Sequence, residues 1–333
     1  MRSFSYFNHG TVRSEAHEFK VFCLLIWGTI LFVLQAPVGL HAQTVQVTIA
    51  QVLQTQTQPP FAPGTIPNGV TGDHAVPSPN DADIGEQQVL KRTAEYQPFT
   101  MSLASPIFYT SNVALTNSNE KGDVVIAPVA SVYYDPRITK TLYGHFGARE
   151  QIFYYGKYDS FNFGSLDAEA GLSYSLPQLH NLILRAEYDF NRLTSGDQLG
   201  AEFFSNHTII LDAEMPFQIN RAQRLTLGLD TNLSVGADHQ SPRRNDYESY
   251  LAYSIFLTRA FSIDAAGRVV VRDYHQNNRT DVSEIVSGTA NYRLTNWCTL
   301  SAIGSFARSD SNHEVFDYSV GNIGGALSLA VKF

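Results

Sequence analysis

The sequence predicts an all-β fold, an antiparallel up-and-down transmembrane β-barrel of about twelve strands that follows a disordered N-terminal segment. Three observations predict it. From Phe99 onward, segments in which apolar and polar residues alternate recur at regular intervals. The connections between these segments are alternately tight and long. Residues 325–333 (GALSLAVKF) form a last alternating segment that ends on an aromatic residue.

The composition fits this fold better than its competitors. The 333 residues are 44% hydrophobic and 16% charged, with a mean hydropathy of −0.14. A helical membrane protein would be far more apolar, and a disordered chain would have fewer aromatic residues than the 17 Tyr and 21 Phe found here. In a barrel every second residue can be polar, so the average conceals the membrane-facing surface.

Residues 1–42 are predicted to be a secretory signal peptide. The apolar run over 21–34 is too short for a membrane-spanning helix of about 20 residues. Arg13 and Lys20 precede this run, and a small-residue stretch that ends at Ala42 follows it, as at a cleavage site. A short anchor helix is the alternative.

The charge and the cysteines exclude several classes of function. The formal net charge is −8, and removal of residues 1–42 takes away three basic and two acidic residues, so the exported protein is more acidic still. We therefore expect no nucleic-acid partner. Cys23 lies in the signal peptide and Cys298 is left alone, which rules out an internal disulfide or a cysteine zinc site. We expect no cofactor and no metal site.

Residues 43–97 are predicted to be a flexible periplasmic segment. Proline, Gln, Thr, Gly and Asn dominate it, and such a composition cannot bury enough apolar surface to offset its chain entropy. One short helix is expected over 81–92, and a small plug for the pore is the alternative reading. The barrel is expected to occupy 98–333.

The twelve strands are predicted from the alternation of apolar and polar residues. It is clearest over 224–238, where Leu225, Leu227 and Leu229 share one parity while Asp230 and Asn232 share the other. Pro128 interrupts the second strand, and a parity conflict near Glu150 predicts a bulge in the third. The predicted strands are 98–110, 122–134, 139–155, 161–176, 180–192, 206–217, 223–237, 246–258, 261–274, 281–295, 298–309 and 317–333.

The connections and the outward aromatic residues predict an orientation. Tight connections are periplasmic turns in outer-membrane barrels and longer ones are external, so an even strand number places both termini in the periplasm. The outward parity then forms two aromatic girdles. Their predicted members are Tyr174, Phe217, Phe261, Tyr292 and Phe333 at the periplasmic rim and Phe190, Tyr247 and Phe306 at the external rim. A soluble β-sandwich, the alternative fold, predicts no such sorting.

The C-terminal segment carries a resemblance. Leu327, Leu329, Val331 and Phe333 share one face. This ending resembles the C-terminal strand of Gram-negative outer-membrane β-barrels, where it acts as the assembly signal. The resemblance implies a location in the bacterial outer membrane, with outer-membrane lipid and the barrel-assembly machinery as partners.

The inward parity collects charged side chains, which are the candidate lumen and selectivity residues. Facing lipid at mid-depth, each Arg or Lys would cost about 2–4 kcal/mol, so these residues must face water or one another. The candidates are Arg149, Asp167, Glu169, Arg185, Glu187, Asp189, Asp212, Glu214, Arg224, Asp230, Glu248, Asp264, Arg268, Arg272 and Arg293.

These charges have two interpretations. They either form cross-strand ion pairs or line a charged constriction of the pore that selects solutes. Neighbouring strands place Arg185 beside Asp167 and Glu169, and place Arg268 and Arg272 beside Glu248. The acids on the sixth predicted strand and the one before it, Glu187, Asp189, Asp212 and Glu214, have no obvious local base. They favour cations unless arginines from across the lumen cover them.

Residues 109–116 (YTSNVALT), followed by an extended segment with Tyr133 and Tyr134, resemble the start of bacterial β-barrel porins. The resemblance implies a passive channel for small polar or charged solutes. A non-conducting barrel with a structural, adhesion or surface-polysaccharide-export role is the alternative. Oligomerisation is possible in this class, but no outward patch is assigned to it.

No enzymatic function is expected. Twelve-stranded barrels include phospholipases, which need a Ser, a His and an Asn or Asp at one rim. Ser205, Asn206 and His207 lie together, as do Asp238, His239 and Ser241, but neither group matches the motif of that family.

Overall fold

The computed structural model describes residues 96–196, 202–220, 222–276 and 278–333. The predicted signal peptide (1–42), nearly all of the Pro-rich segment (43–97) and the short helix expected over 81–92 lie outside the described residues. In the described ranges, no helix is long and apolar enough to cross a bilayer.

The described chain is a closed antiparallel barrel in which thirteen strands fill twelve positions. Consecutive strands pair with one another, and β2 and β3 occupy a single position between β1 and β4. The strands are β1 (Phe99–Thr110), β2 (Asp123–Ile126), β3 (Val129–Tyr134), β4 (Leu142–Tyr155), β5 (Phe163–Leu176), β6 (Leu182–Ser195), β7 (Glu202–Asn220), β8 (Gln223–Asp238), β9 (Arg244–Phe256), β10 (Phe261–Tyr274), β11 (Thr280–Arg293), β12 (Cys298–Ser311) and β13 (Tyr318–Lys332). The predicted fold class and strand number are confirmed.

The barrel closes where its last strand pairs with its first. β13 runs antiparallel to β1 from Thr100 opposite Lys332 to Thr110 opposite Asn322. Beyond the strand, Phe99 and Phe333 exchange two backbone hydrogen bonds of 3.0 Å. A closed barrel satisfies every strand edge, which is the condition for β-structure in lipid.

The strand interruption predicted at Pro128 is confirmed, and the bulge predicted at Glu150 is wrong. Proline has no N–H to donate, so regular pairing is interrupted at 127–128, where Ala127 still donates to the carbonyl of Pro106 and Pro128 accepts from Ile152, and it resumes in the same register. Glu150 pairs with Ala130 and Leu166 without a shift. Glu150 is an acid on the outward face, where the alternation predicts an apolar residue. The break in the pattern therefore comes from this one side chain and not from the backbone.

The two ends of the barrel differ, as predicted. One end, called here the terminal end, carries Phe99, Phe333 and tight connections such as 257–260 and 294–297. The other, called here the loop end, carries longer connections, the longest being 111–122. Three short 3-10 turns lie in connections, at Asp159–Phe161, Pro177–Leu179 and Glu314–Phe316.

The outer surface is apolar, and aromatic rings line its terminal end. The side chains of Leu327 and Val331 are about half exposed on this face. The rings of Phe333, Phe99 and Tyr134 stack in a row, with centroids 5.6 and 4.4 Å apart. Stacked rings at one level fit a membrane–water interface.

Candidate functional site: the barrel lumen

The lumen has a charged side and a neutral side. The inward residues of β4 to β10 include fourteen of the fifteen predicted lumen candidates, whereas β12, β13 and β1 present mostly Ser, Thr, Ala and Gly. On the neutral side, hydroxyl groups pair across strands. The oxygens of Ser102 and Ser131 lie 2.6 Å apart, and Ser283 donates to Ser309 at 2.8 Å.

Arg185 on β6 forms a paired cluster with two acids of β7. Its guanidinium lies 3.2 Å from Asp212 and 3.3 Å from Glu214. Arg185 does lie on the strand next to Asp167 and Glu169 of β5, as predicted, but its ion pairs seen here are with β7 on the other side. Glu214 is 2% exposed, so its charge depends on this contact more than on water.

The acids of β5 pair instead with β4 and β6. Asp167 lies 3.9 Å from the Nε of Arg149 and accepts a hydrogen bond of 2.6 Å from Asn191. Glu169 lies 3.0 Å from the Nε2 of His145, a residue that the sequence analysis did not select. These contacts follow the register, which puts Arg149 opposite Asp167.

Arg268 and Arg272 lie beside Glu248 on the wall, as predicted, but both are buried. Arg268 contacts Glu248 at 3.5 Å. Arg272 is 1% exposed and donates to Ser283, while its Nε and Nη2 have no hydrogen-bond partner among the described residues. Their burial makes these arginines part of the wall rather than an exposed filter.

Two of the predicted acids carry no hydrogen bond or ion pair within the described ranges, Glu187 and Asp230. Asp230 stands between Asp212 and Glu248 in one row across β7, β8 and β9. Asp189 receives only a long hydrogen bond of 3.4 Å from Thr208. The prediction that the acids Glu187, Asp189, Asp212 and Glu214 have no local base is therefore wrong for Asp212 and Glu214, because Arg185 on the neighbouring strand β6 pairs with both.

The remaining predicted lumen residues lie toward the terminal end. Asp264 accepts a hydrogen bond of 2.8 Å from Asn291. Arg224 is half-buried near the start of β8. Arg293 is exposed at the rim and donates to the carbonyl of Arg259, so it lies outside the network of lumen charges described above.

Two inward apolar clusters near the loop end were not predicted. One includes Phe108, Phe153, Phe163 and Phe204. The other consists of Val270, Ile285, Ala307, Tyr318 and Val320. The sequence analysis assigned none of these aromatic residues to the inner or the outer face.

The connection 111–122 reaches both clusters. Val113 belongs to the first, and Leu115 packs against the second. Asn112 is 1% exposed and anchors the segment, because its amide donates to the carbonyls of Thr116 at 2.7 Å and Ser319 at 2.9 Å. The loop end of the lumen is thus narrowed by apolar side chains and one folded connection.

A buried arginine lies beside this constriction. The guanidinium of Arg279 lies over the rings of Phe316, 3.6 Å from its centroid, and Tyr274, 4.4 Å from its centroid, and it bonds Asp281 at 2.6 Å. In the same connection, between β10 and β11, burial lowers the pKa of His275, and the Arg243 charge lowers it further. At the loop end, the two apolar clusters and the arginine–aromatic contacts are packed together.

The two groups considered for catalysis lie in different surroundings. The Nδ1 of His207 lies 2.5 Å from the Tyr188 hydroxyl on the outer face. Asn206 accepts a hydrogen bond of 2.6 Å from Ser234. His239 lies 3.9 Å from Asp238 in an exposed connection.

Solved structures similar to this barrel are outer-membrane β-barrels. The COG4313 outer membrane channel from Pseudomonas putida F1 has a TM-score of 0.52 at 12% identity, covering 72% of this chain and 98% of that chain. The translocator domain of the autotransporter NalP from Neisseria meningitidis has a TM-score of 0.40 at 10% identity, over 71% and 88% of the two chains. The NanC porin has a TM-score of 0.40 at 8% identity, over 68% and 98%.

No protein-family model matches the chain, and no curated protein matches it. At these identities the likeness to solved structures shows the fold. The fold is that of the outer-membrane β-barrel proteins, in agreement with the resemblance of the C-terminal strand.

Proposed function

We propose that this barrel is an outer-membrane channel for small polar or charged solutes, with a preference for cations and both termini in the periplasm. The observation that carries the proposal is the acidic wall of β5 to β9, on which Glu187 and Asp230 make no hydrogen bond or ion pair among the described residues. Carboxylates that line a narrow aqueous path select cations by their field.

The burial of the charges supports a wet lumen. Moving a charge into a dry interior costs several kcal/mol, and acids without partners would not persist there as anions. Asp230 and Glu187 remain half-buried rather than sealed. A water-filled path beside them supplies the missing solvation, and the neutral side of the barrel opposite leaves room for it.

The likeness to a solved outer-membrane channel supports the same proposal. That structure is matched over 98% of its own length, so the shared part is the whole barrel rather than one hairpin pair. The C-terminal strand, with Phe333 stacked on Phe99, supports recognition by the barrel-assembly machinery.

The test is single-channel recording of the folded protein in a planar bilayer under a potassium chloride gradient. We expect discrete current steps and a reversal potential on the cation side. Asp230→Asn should shift that potential toward zero, because it removes an unpaired wall charge. The control is Asp310→Asn, which removes an exposed charge at the loop end and should leave the potential unchanged. An anion-selective wild type, or equal potentials in both variants, would contradict the cation preference.

A closed barrel is the second candidate, and the apolar constriction at the loop end favours it. In this case the protein would serve a structural, adhesion or polysaccharide-export role through partners. Asn112→Ala removes the anchor of 111–122 and distinguishes the two candidates. A silent wild type with a conducting Asn112→Ala barrel would mean a gated channel. Silence in both, with heat-modifiable migration showing that they are folded, would favour the closed barrel.

A further inference from the structure

Four side chains converge near the terminal end of the lumen: Asp135, His145, Glu169 and Glu187. The proposed channel function does not require this arrangement. His145 on β4, Gly171 on β5 and Glu187 on β6 share one row, because His145 pairs with Gly171 and Gly171 pairs with Glu187. Gly171 has no side chain, so His145 and Glu187 face each other across its backbone.

Two glycines let two glutamates lie along the wall. A Cβ on Gly171 would overlap the Cγ of Glu187, and a Cβ on Gly147 would overlap the side chain of Glu169. Glycine in a strand often marks a position where another group approaches the backbone closely. Here it brings Glu169 and Glu187 toward the same imidazole.

The imidazole is oriented from its other side. The Nδ1 of His145 lies 2.5 Å from Asp135, and the Tyr133 ring stacks on it with centroids 5.7 Å apart. With Nδ1–H donated to Asp135, a metal ion would displace the proton that lies between Nε2 and Glu169 and would take the Nε2 lone pair, because metal ligation by histidine and carboxylate releases protons. This is the usual carboxylate–histidine–metal arrangement of protein metal sites.

The donor atoms are close enough to share one ion. The Nε2 of His145 lies 3.0 Å from the Oε1 of Glu169, and one donor atom from each of His145, Glu169 and Glu187 lies within 4.8 Å of the others. Tetrahedral zinc with bonds of about 2.0–2.2 Å holds two ligand atoms about 3.4 Å apart, so the His145–Glu169 pair is already close to that separation and the other pairs have to approach by at most about 1.4 Å. Small side-chain rotations therefore suffice.

From this geometry we propose that His145, Glu169 and Glu187 bind a divalent transition-metal ion in the lumen, with Asp135 as the positioning residue. One imidazole nitrogen and two carboxylate oxygens suit Zn²⁺, and water from the lumen completes its coordination. Three carboxylates meet one imidazole here, so a dication also neutralises excess negative charge. Zinc binding does not require the barrel to conduct, but a bound dication would neutralise Glu187, and the cation preference of the channel would then rest on Asp230.

The test is equilibrium dialysis of the purified, folded full chain in detergent against zinc buffered by a competing chelator. We expect one tight zinc ion per chain. His145→Ala should weaken zinc binding at least tenfold, and Asp135→Asn should weaken it by about ten- to hundredfold. The matched control is Asp189→Asn, which removes an inward acid from the same strand as Glu187 and should leave the tight site intact.

Two more variants keep the test decisive if His145→Ala fails to fold. Glu187→Gln is nearly isosteric and should weaken binding. Gly171→Ala retains every ligand but pushes Glu187 aside, so it should also weaken binding. Absence of a tight zinc ion in the folded wild type, or equal affinity in Glu187→Gln and Asp189→Asn, would overturn the proposal. Dialysis measures zinc binding whether or not the barrel conducts. Failure of the zinc proposal can therefore be distinguished from failure of the channel proposal.

Discussion

Replacement of Arg185 by Met should destabilise the barrel by about 3 kcal/mol. At an effective dielectric constant of about 20, each contact of Arg185 with Asp212 and Glu214, at 3.2 and 3.3 Å, gives roughly 5 kcal/mol of attraction before desolvation is subtracted. Removal of one partner of a buried ion pair typically costs about 3–5 kcal/mol. The lower end applies because Arg185 keeps 14% of its surface in the lumen.

The assay is urea unfolding of the protein in phospholipid vesicles, followed by heat-modifiable migration and by the fluorescence of Trp297. A loss of about 3 kcal/mol changes the unfolding constant by about two orders of magnitude. Adding Asp212→Asn to Arg185→Met should restore part of the loss, because it removes one uncompensated charge.

The control is Arg308→Met. Arg308 lies 3.0 Å from Asp310, but the two side chains are 63% and 60% exposed, so no measurable change is expected. If Arg185→Met lost no more stability than Arg308→Met, then solvation by lumen water, rather than Arg185, would hold the two acids in place.

Three further predictions concern the rim, the mouth and the wall. Phe333→Ala, which removes the ring stacked on Phe99, should lower the heat-modifiable fraction recovered from outer membranes, whereas Val315→Ala, in the connection before β13, should not. Because its pKa is lowered from 6.5, the His275 contribution to stability is fully present above pH 6.5 and is lost as the pH falls below that value. His275→Asn should therefore flatten the dependence of the urea midpoint on pH between about 5 and 7. Gly324→Val should block folding in vesicles, because a side chain there would overlap the backbone of Phe108.

The strands were predictable because two solvents act on alternate residues. Over 224–238 the outward Leu and inward Asp or Asn residues sort by parity alone, and the observed β8 spans Gln223–Asp238. The break at Pro128 followed from its missing N–H. At Glu150 the alternation predicted a bulge that is absent, because a single acid on the outer face produces the same sequence pattern as a shift in register.

The contacts within the lumen were not predictable from parity. Arg185 has acids on both neighbouring strands, and register and side-chain direction, rather than sequence spacing, decide that it pairs with β7. The set formed by His145, Glu169 and Glu187 depends on two glycines that act only through the pairing of β4, β5 and β6. No sequence motif connects these positions, so sequence analysis alone could not show that their side chains lie close together.

The pairing of Thr100 with Lys332 has a consequence for biogenesis. Until residues 318–332 have been synthesised and docked, β1 and β12 are both open edges with unpaired N–H and C=O groups, and such edges invite aggregation. Contacts between residues so distant in sequence form slowly, because the chain loses conformational entropy on closing the loop before the new contact stabilises it. The unfolded chain must therefore be kept apart from its neighbours until the whole circle of strands is available, and it should aggregate more readily than a hairpin-rich soluble protein of equal length.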